Sequence, residues 1–183
     1  NYPELPVTKE LALDVKRLEK VTERFSRIGS KPLLTQDNIL ALIQNSVNYL
    51  KSRSSSKVLF VLPFTADDEI NLPVNPALFE WVIENVCKNG IDAMEGDGEI
   101  TIKVEEEEKY AIIDISDTGK GLPKSSWKKI FSPGYTTKKR GWGLGLSLAK
   151  RIIEEYHHGR IFVKSSEPGK GTCIRIMMKT GIV

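Results

Sequence analysis

Apolar residues recur at spacings of three and four in two stretches near the start of the chain. From 8 to 28 the stripe runs through Leu11, Val15, Leu18, Thr22 and Phe25 with charges between, which predicts an amphipathic helix whose apolar face needs a partner. Gly29, Ser30 and Pro32 end it, and a second helical stretch follows from Asp37 to Lys51 through Ile39, Leu42, Ile43, Val47 and Leu50. Beyond the polar Ser52 to Ser56 loop the period falls to two. Lys57 to Leu62 and Glu69 to Val74 are predicted strands, and Asn75-Pro76 opens a helix reaching about Met94, with Asn75 as cap and Pro76 in the first turn. Ile100, Ile102 and Val104, then Ala111, Ile113 and Ile115, predict two strands joined through Glu105 to Glu108. Residues 118 to 141 show no period and form a long loop; from 122 to 140 glycine, proline and charge with little apolar content to anchor them predict mobility when no ligand is bound. A helix from Gly143 to Tyr156 follows, then strands at Arg160 to Ser166 and Thr172 to Lys179 across a Pro168, Gly169, Gly171 turn. The strands alternate instead of running continuously apolar, as in a sheet with helices on one face only.

Length and composition narrow the classes. With 183 residues, 40% of them hydrophobic and 28% charged, the chain is an ordinary soluble globular protein with one main domain. Its net charge of +3, from 27 basic and 24 acidic residues, gives no argument for nucleic acid and leaves phosphate-bearing small ligands open. Cys87 and Cys173 lack metal-site spacing, which fits a reducing, cytoplasmic setting. No apolar run reaches the roughly 20 residues of a membrane span; a membrane-anchored parent protein stays open.

Three constellations carry candidate chemistry. Alternation puts Asp117 on the buried face with Ala111, Ile113 and Ile115, where a carboxylate needs donors. It is either a turn aspartate bonded to the backbone of Thr118 and Gly119, or the acceptor for the amino group of an adenine approached across Gly119 and Gly121. Gly141-Trp142-Gly143-Leu144-Gly145-Leu146 leads into a helix. It is either a hinge or a cradle whose amides face an anion; it lacks the strand of a dinucleotide fingerprint and the ending of a P-loop. Asn85 and Asn89 lie one turn apart on a helix that gains nothing from asparagine. They form either a solvated face or a pair of carbonyl ligands for magnesium.

The order of these elements is more specific than any one. Glu84-Asn85-Val86-Cys87-Lys88-Asn89-Gly90-Ile91-Asp92-Ala93-Met94, then Asp117-Thr118-Gly119-Lys120-Gly121, then Ile130-Phe131-Ser132-Pro133-Gly134-Tyr135-Thr136-Thr137-Lys138, then Gly141 to Leu146, resemble the N, G1, F and G2 boxes of sensor histidine kinases. The resemblance covers residues 30 to 183 as the ATP-binding catalytic domain, and Glu167 to Thr172 resembles the family's last hairpin. It implies an α+β two-layer sandwich of the Bergerat type, in the GHKL superfamily, with a mixed sheet, helices on one face and a lid between the G1 and G2 boxes.

The resemblance also implies the site. Asp117 binds adenine with Gly119 and Gly121 beside the ring; Asn85 and Asn89 hold Mg2+ against the phosphates of ATP. Gly141, Gly143, Leu144, Gly145 and Leu146 cradle the phosphate chain, and Thr136, Thr137 and Lys138 belong to the lid, with Thr172 lining the nucleotide; Asn85, Asn89 and Lys138 are the expected catalytic set. Gly90 departs from the usual Ala and should loosen the helix by up to about 1 kcal/mol. Trp142 replaces a small residue, and Asp92 stands where many members carry a basic phosphate contact.

Residues 1 to 29 resemble the second helix of the dimerisation and histidine-phosphotransfer domain, through Asp14 to Leu18 and Phe25-Ser26, without a counterpart of the helix that carries the acceptor histidine. The implied activity is transfer of the ATP γ-phosphate to that histidine, then relay to the receiver domain of a response regulator, in a parent that is a homodimer. His157 and His158, at a helix C-terminus favourable to positive charge, are not expected to be acceptors. The rivals are a non-catalytic nucleotide-binding or partner-interaction module and another ATPase of the superfamily.

Overall fold

The computed structural model describes residues 32–65, 68–136 and 143–180. The helix expected over 8 to 28, the segment 1–29 as a domain remnant, and Thr137, Lys138, Gly141 and Trp142 lie outside them. The chain divides after Leu33, and everything below belongs to the unit Leu34–Val183.

The element order is β1 (Thr35–Asn38), α1 (Ile39–Lys51), β2 (Val58–Val61), β3 (Asn71–Val74), α2 (Pro76–Ala93), β4 (Gly98–Glu107), β5 (Tyr110–Asp117), two short 3-10 turns (Lys124–Ser126 and Lys129–Phe131), α3 (Gly145–Arg151), β6 (Arg160–Glu167) and β7 (Gly171–Lys179). A five-stranded sheet has the order β2-β4-β5-β7-β6. Its β2–β4 pair is parallel and the other pairs are antiparallel, so the expected mixed sheet is present.

Alternation decides the layers. One face of the sheet carries Ile100, Ile102, Ala111, Ile113, Ile115, Ile161, Val163, Ile174, Ile176 and Met178, all buried. The helices cover it with Ile39, Ile43 and Val47 from α1, Phe79, Val82, Ile83 and Val86 from α2, and Ala149, Ile152 and Ile153 from α3 and its continuation. On the other face Asp114 takes a bidentate contact from Arg175 (2.7 and 2.8 Å) and one from Lys164 (2.7 Å), and these partners hold its carboxyl below the usual carboxylate range against the burial that raises it. Cys87 and Cys173 are free and buried, and burial pushes the Cys87 thiol up to about 12.

Several elements differ from the periodicity in instructive ways. β1 has no apolar signal; it pairs antiparallel with β3 in a separate two-stranded sheet that receives the start of α1. The side chain of Asn38 organises that corner, its Oδ1 accepting from the N–H groups of Leu40 (3.1 Å) and Ile70 (3.2 Å). Asn75 caps α2 as expected, its side chain accepting from Leu78 N–H at 3.2 Å. The acidic Glu105 to Glu107 extend β4 instead of forming the turn, because cross-strand pairing to Tyr110, Ala111 and Ile112 continues through them. The last helix changes from α to π geometry at Ile152–Tyr156.

Candidate functional site

β5 ends at Asp117, which pairs with Ile100 on β4 and Thr172 on β7 and so occupies the helix-covered face, as alternation requires. Its Oδ1 accepts the N–H of Gly119 at 2.8 Å, and the backbone of Thr172 supplies a second bond. Burial raises its pKa from the ordinary value; the two backbone donors pull the other way. The turn reading of Asp117 is thus met, since the bond to Gly119 occupies Oδ1 and orients the carboxylate.

The loop after Asp117 is fastened on both sides. Lys120 N–H donates to the carbonyl of Ala93 at the end of α2 (3.0 Å), Gly169 N–H donates to Lys120 O (2.8 Å), and Leu122 N–H donates to the hydroxyl of Ser166 (2.8 Å). Gly121 has φ +66°, and a Cβ there would lie 2.0 Å from the carbonyl oxygen of Glu167, so only glycine fits. Thr172 is buried beside Asp117, its hydroxyl 2.9 Å from that of Ser166. Sequence reasoning missed Ser166, which carries no motif and reaches the site only through strand pairing.

Asn85 and Asn89 lie one turn apart on α2, and Gly90, the residue after Asn89, stands against Asp117. The amide of Asn85 donates to Trp81 O (2.8 Å) and that of Asn89 to Asn85 O (2.6 Å), so each nitrogen turns back along its own helix. The oxygen of Asn85 lies toward the start of α3, 2.9 Å from where a Cβ on Gly145 would be. Among the described residues no group of three or more His, Cys, Asp or Glu could hold a metal ion. Amide oxygens are ligands that suit a hard cation which keeps its waters and takes its counter-charge from phosphates.

The start of α3 differs in kind. Leu144 stands at its N-cap with no side-chain cap bond, and no acidic residue lies in the first turn, so backbone donors supply its polarity. Gly143 (φ +63°) is held by the bond from Gly134 N–H to its carbonyl (3.1 Å), and a Cβ on it would press the backbone of Gly134 at 2.6 Å. Leu144 is exposed; Gly145 and Leu146 are half-buried. Thr136 is exposed. Thr137, Lys138 and Gly141 lie outside the described residues.

Two expectations are corrected here. The segment from 122 is not without apolar anchors: Ile130 and Phe131 are buried in the core, Trp127 Nε1–H donates to Leu122 O at 3.5 Å, and the Tyr135 hydroxyl donates to Ser126 Oγ at 3.4 Å. The 3-10 turns create this, because they bring residues three apart onto one side without a long period. His157 is not a charged helix cap. It is 6% exposed, its Nε2 accepts the N–H of Asn75 (3.0 Å) and its Nδ1 faces Ile152 O (2.9 Å). An acceptor nitrogen toward an amide fixes the neutral Nδ1–H tautomer, and burial lowers the pKa. The imidazole ties the end of the α3 segment to the start of α2.

A family model described as histidine kinase-, DNA gyrase B-, and HSP90-like ATPase matches residues 74–182. Sporulation kinase C of Bacillus subtilis is 39% identical over 168 residues, which are 90% of this chain and 39% of that protein. Sensor histidine kinase ZraS of Salmonella typhi is 33% identical over 172 residues, 92% of this chain and 36% of that protein, so the chain spans well under half of either relative. The catalytic domain of histidine kinase ThkA superposes with a TM-score of 0.70 at 26% identity, covering 80% of this chain and 95% of that domain. A crystal structure of ThkA in complex with response regulator protein TrrA matches in fold, with a TM-score of 0.72 at 22% identity over 99% of this chain and 53% of that one.

Proposed function

Since this chain belongs to the histidine kinase-, DNA gyrase B- and HSP90-like ATPase family, as an ATP-binding domain of the sensor-kinase type, we propose that it binds ATP with Mg2+ and transfers the γ-phosphate to a histidine on the dimerisation domain of the same kinase. The parent is then a homodimer that passes the phosphate to a response regulator's receiver domain, with this domain in the cytoplasm. Among the described residues no helix is long and apolar enough to cross a membrane.

The observation that carries this reading is Asp117. Its half-buried carboxylate, oriented by Gly119 and Thr172, ends the apolar sheet face close to Gly90 of α2, the residue after Asn89. In this reading Asp117 accepts from the adenine amino group, and the loop from Gly119 to Gly121 lets the ring approach the backbone. The amides of Gly143, Leu144, Gly145 and Leu146 face the phosphate chain at the start of α3. Asn85 and Asn89 hold Mg2+, which when bound neutralises phosphate charge. The chain's own contribution to transfer is positioning: phosphoryl transfer asks for alignment and charge stabilisation more than for covalent chemistry.

His157 has no part as acceptor, because its ring is buried and both nitrogens are engaged by backbone. His158, the other histidine of the chain, is exposed and follows it directly, a helix length from the start of α3 where the phosphates would lie, so the chain is expected not to label itself. Incubation with γ-labelled ATP should leave the 183-residue chain unlabelled and should label a supplied dimerisation domain in an acid-labile, alkali-stable way, with Asn89→Ala reducing the magnesium dependence. Acid-labile labelling of the isolated chain that is lost when His157 and His158 are both changed to Gln would overturn the assignment.

A further inference from the structure

The helix-covered face of the sheet is apolar row by row until its last row. Ile113, Ile176 and Ile161 align across β5, β7 and β6; Ile115, Ile174 and Val163 form the next row. The row after that is Asp117, Thr172 and Ser166, three polar side chains on three adjacent strands at the end where the loop after β5 folds back. The third member is there because of a β-bulge. Pairing of β6 with β7 steps from Val163–Ile174 to Ser165–Cys173, passing over Lys164. Without that extra residue Ser165 would oppose Thr172 and Ser166 would lie outside the row. A bulge re-aims the side chains that follow it, and here it delivers a hydroxyl to the row of Asp117.

Ser166 then sits at a junction with a fixed count of protons. Its oxygen accepts the N–H of Leu122 at 2.8 Å, lies 3.0 Å from the carbonyl oxygen of Gly171 and 2.9 Å from the hydroxyl of Thr172. A serine hydroxyl has one proton and two lone pairs. Leu122 takes one lone pair. Gly171 O can only accept, so the proton goes there. What remains for Thr172 is the second lone pair of Ser166, and the Thr172 hydroxyl fills it by donating its own proton. Both protons of the pair are then committed, and Thr172 Oγ1 has only lone pairs left to offer. Beside it stands Asp117, whose carboxylate also only accepts when ionised.

We propose that Ser166 is a positioning residue for base selection: by consuming the proton of Thr172 it makes the end of the sheet an acceptor-only surface, suited to the exocyclic amino group of adenine and opposed to the carbonyl that guanine carries in its place. The proposal rests on the adenine reading of Asp117 and extends it to a residue that touches no ligand. In Ser166→Ala the Thr172 hydroxyl recovers a proton that can turn toward a carbonyl, so the rejection of guanine weakens while adenine binding changes less.

Calorimetric titration of the 183-residue chain with ATP and with GTP, both with magnesium, tests this. Wild type should prefer ATP, and Ser166→Ala should reduce the ATP-to-GTP affinity ratio by about three- to tenfold, the scale of one neutral hydrogen bond. Ser166→Thr keeps the hydroxyl and should keep the ratio. Ser166→Cys keeps the shape without a good hydrogen-bonding group; it should behave like Ser166→Ala and decides the matter if the alanine variant does not fold. In a Thr172→Val background, Ser166→Ala should leave the ratio where Thr172→Val alone puts it. An unchanged ratio in Ser166→Cys, or equal loss for both nucleotides, would overturn the positioning role while leaving the adenine site in place. Equal affinity of wild type for ATP and GTP would overturn the adenine reading itself, and this proposal with it.

Discussion

The two ends of the candidate site are built from different materials. At the proposed base end, Asp117, the loop through Gly121 and the β6–β7 hairpin are locked by hydrogen bonds from Gly119, Lys120, Leu122 and Gly169, with backbone approaches that leave no room for a side chain. At the proposed phosphate end the start of α3 has no side-chain cap; the bond from Gly134 N–H to Gly143 O holds the turn before it, and Asn85 Oδ1 stands where a side chain on Gly145 would go. The first end has one shape fixed by pairing in a sheet. The second is a helix start with no side-chain cap among the described residues, and its helix is anchored at the far end by His157. Rigidity suits reading a base; open donors suit an anion that arrives with its own charge.

The largest effects should come from placing the same small group at both ends. Gly121→Ala drives a Cβ to 2.0 Å from Glu167 O in a left-handed conformation, and the hairpin behind it cannot yield, so denaturant unfolding should register a loss of about 4 kcal/mol. Gly143→Ala is also strained, but the backbone it presses belongs to the exposed Gly134 corner. There the loss should be about 1–2 kcal/mol, with ATP affinity falling and adenosine affinity spared. Equal stability losses would erase the distinction between the ends.

Next is Asp117→Asn. Its pKa is raised in the fold, so the carboxylate favours folding only below its ordinary 3.8 and loses that contribution as pH rises through the folded value. At neutral pH the charge opposes folding. The amide should therefore raise the melting temperature while reducing ATP affinity by about 10- to 100-fold, the scale of a charged hydrogen bond. A variant that loses stability and keeps its ATP affinity would mean that Asp117 serves the turn alone.

A smaller effect tests the anchor of α3. The pKa of His157 is lowered, by burial first, with the bond to Ile152 raising it and His158 lowering it. The unfolded chain thus binds the proton more readily, and stability present above the ordinary 6.5 declines as pH falls from there toward the folded value. Melting temperatures at pH 7.5, 6.5 and 5.5 should fall in that order, and His157→Phe should flatten the trend. Smallest is Gly90→Ala: helix propensity gains up to about 1 kcal/mol, while the new Cβ lies 3.0 Å from Asp117 Cβ. Stability should shift by less than about 1 kcal/mol, with nucleotide affinity following whichever way Asp117 moves.

The geometry around Asp117 was legible because its signals are local: a carboxylate in phase with Ala111, Ile113 and Ile115, and glycines directly after it. Asn75, Asn85 and Asn89 were legible for the same reason, since a helix converts spacing into a shared face. Ser166 was not, because a bulge at Lys164 decides which of two consecutive serines faces Thr172, and nothing in the order Lys-Ser-Ser announces it. β1 was hidden because Thr35 to Asn38 pairs through backbone and caps, with no apolar residue to mark it. Ile130 and Phe131 look like strays in a polar loop until 3-10 turns bring them to the core. A histidine pair before a glycine reads as a cap, whereas the amide of Asn75, more than eighty positions upstream, makes His157 a buried acceptor.

The central claim, that one site spans both ends with base at the sheet and phosphates at α3, is tested most directly by mapping backbone amide shifts on titration. With adenosine, the amides of Gly119, Gly121 and Thr172 should move and those of Gly143 to Leu146 should stay; with ATP and magnesium both groups should move. Shifts concentrated on the opposite face, at Asp114, Arg175 and Phe162, or adenosine shifts confined to the start of α3, would contradict the account.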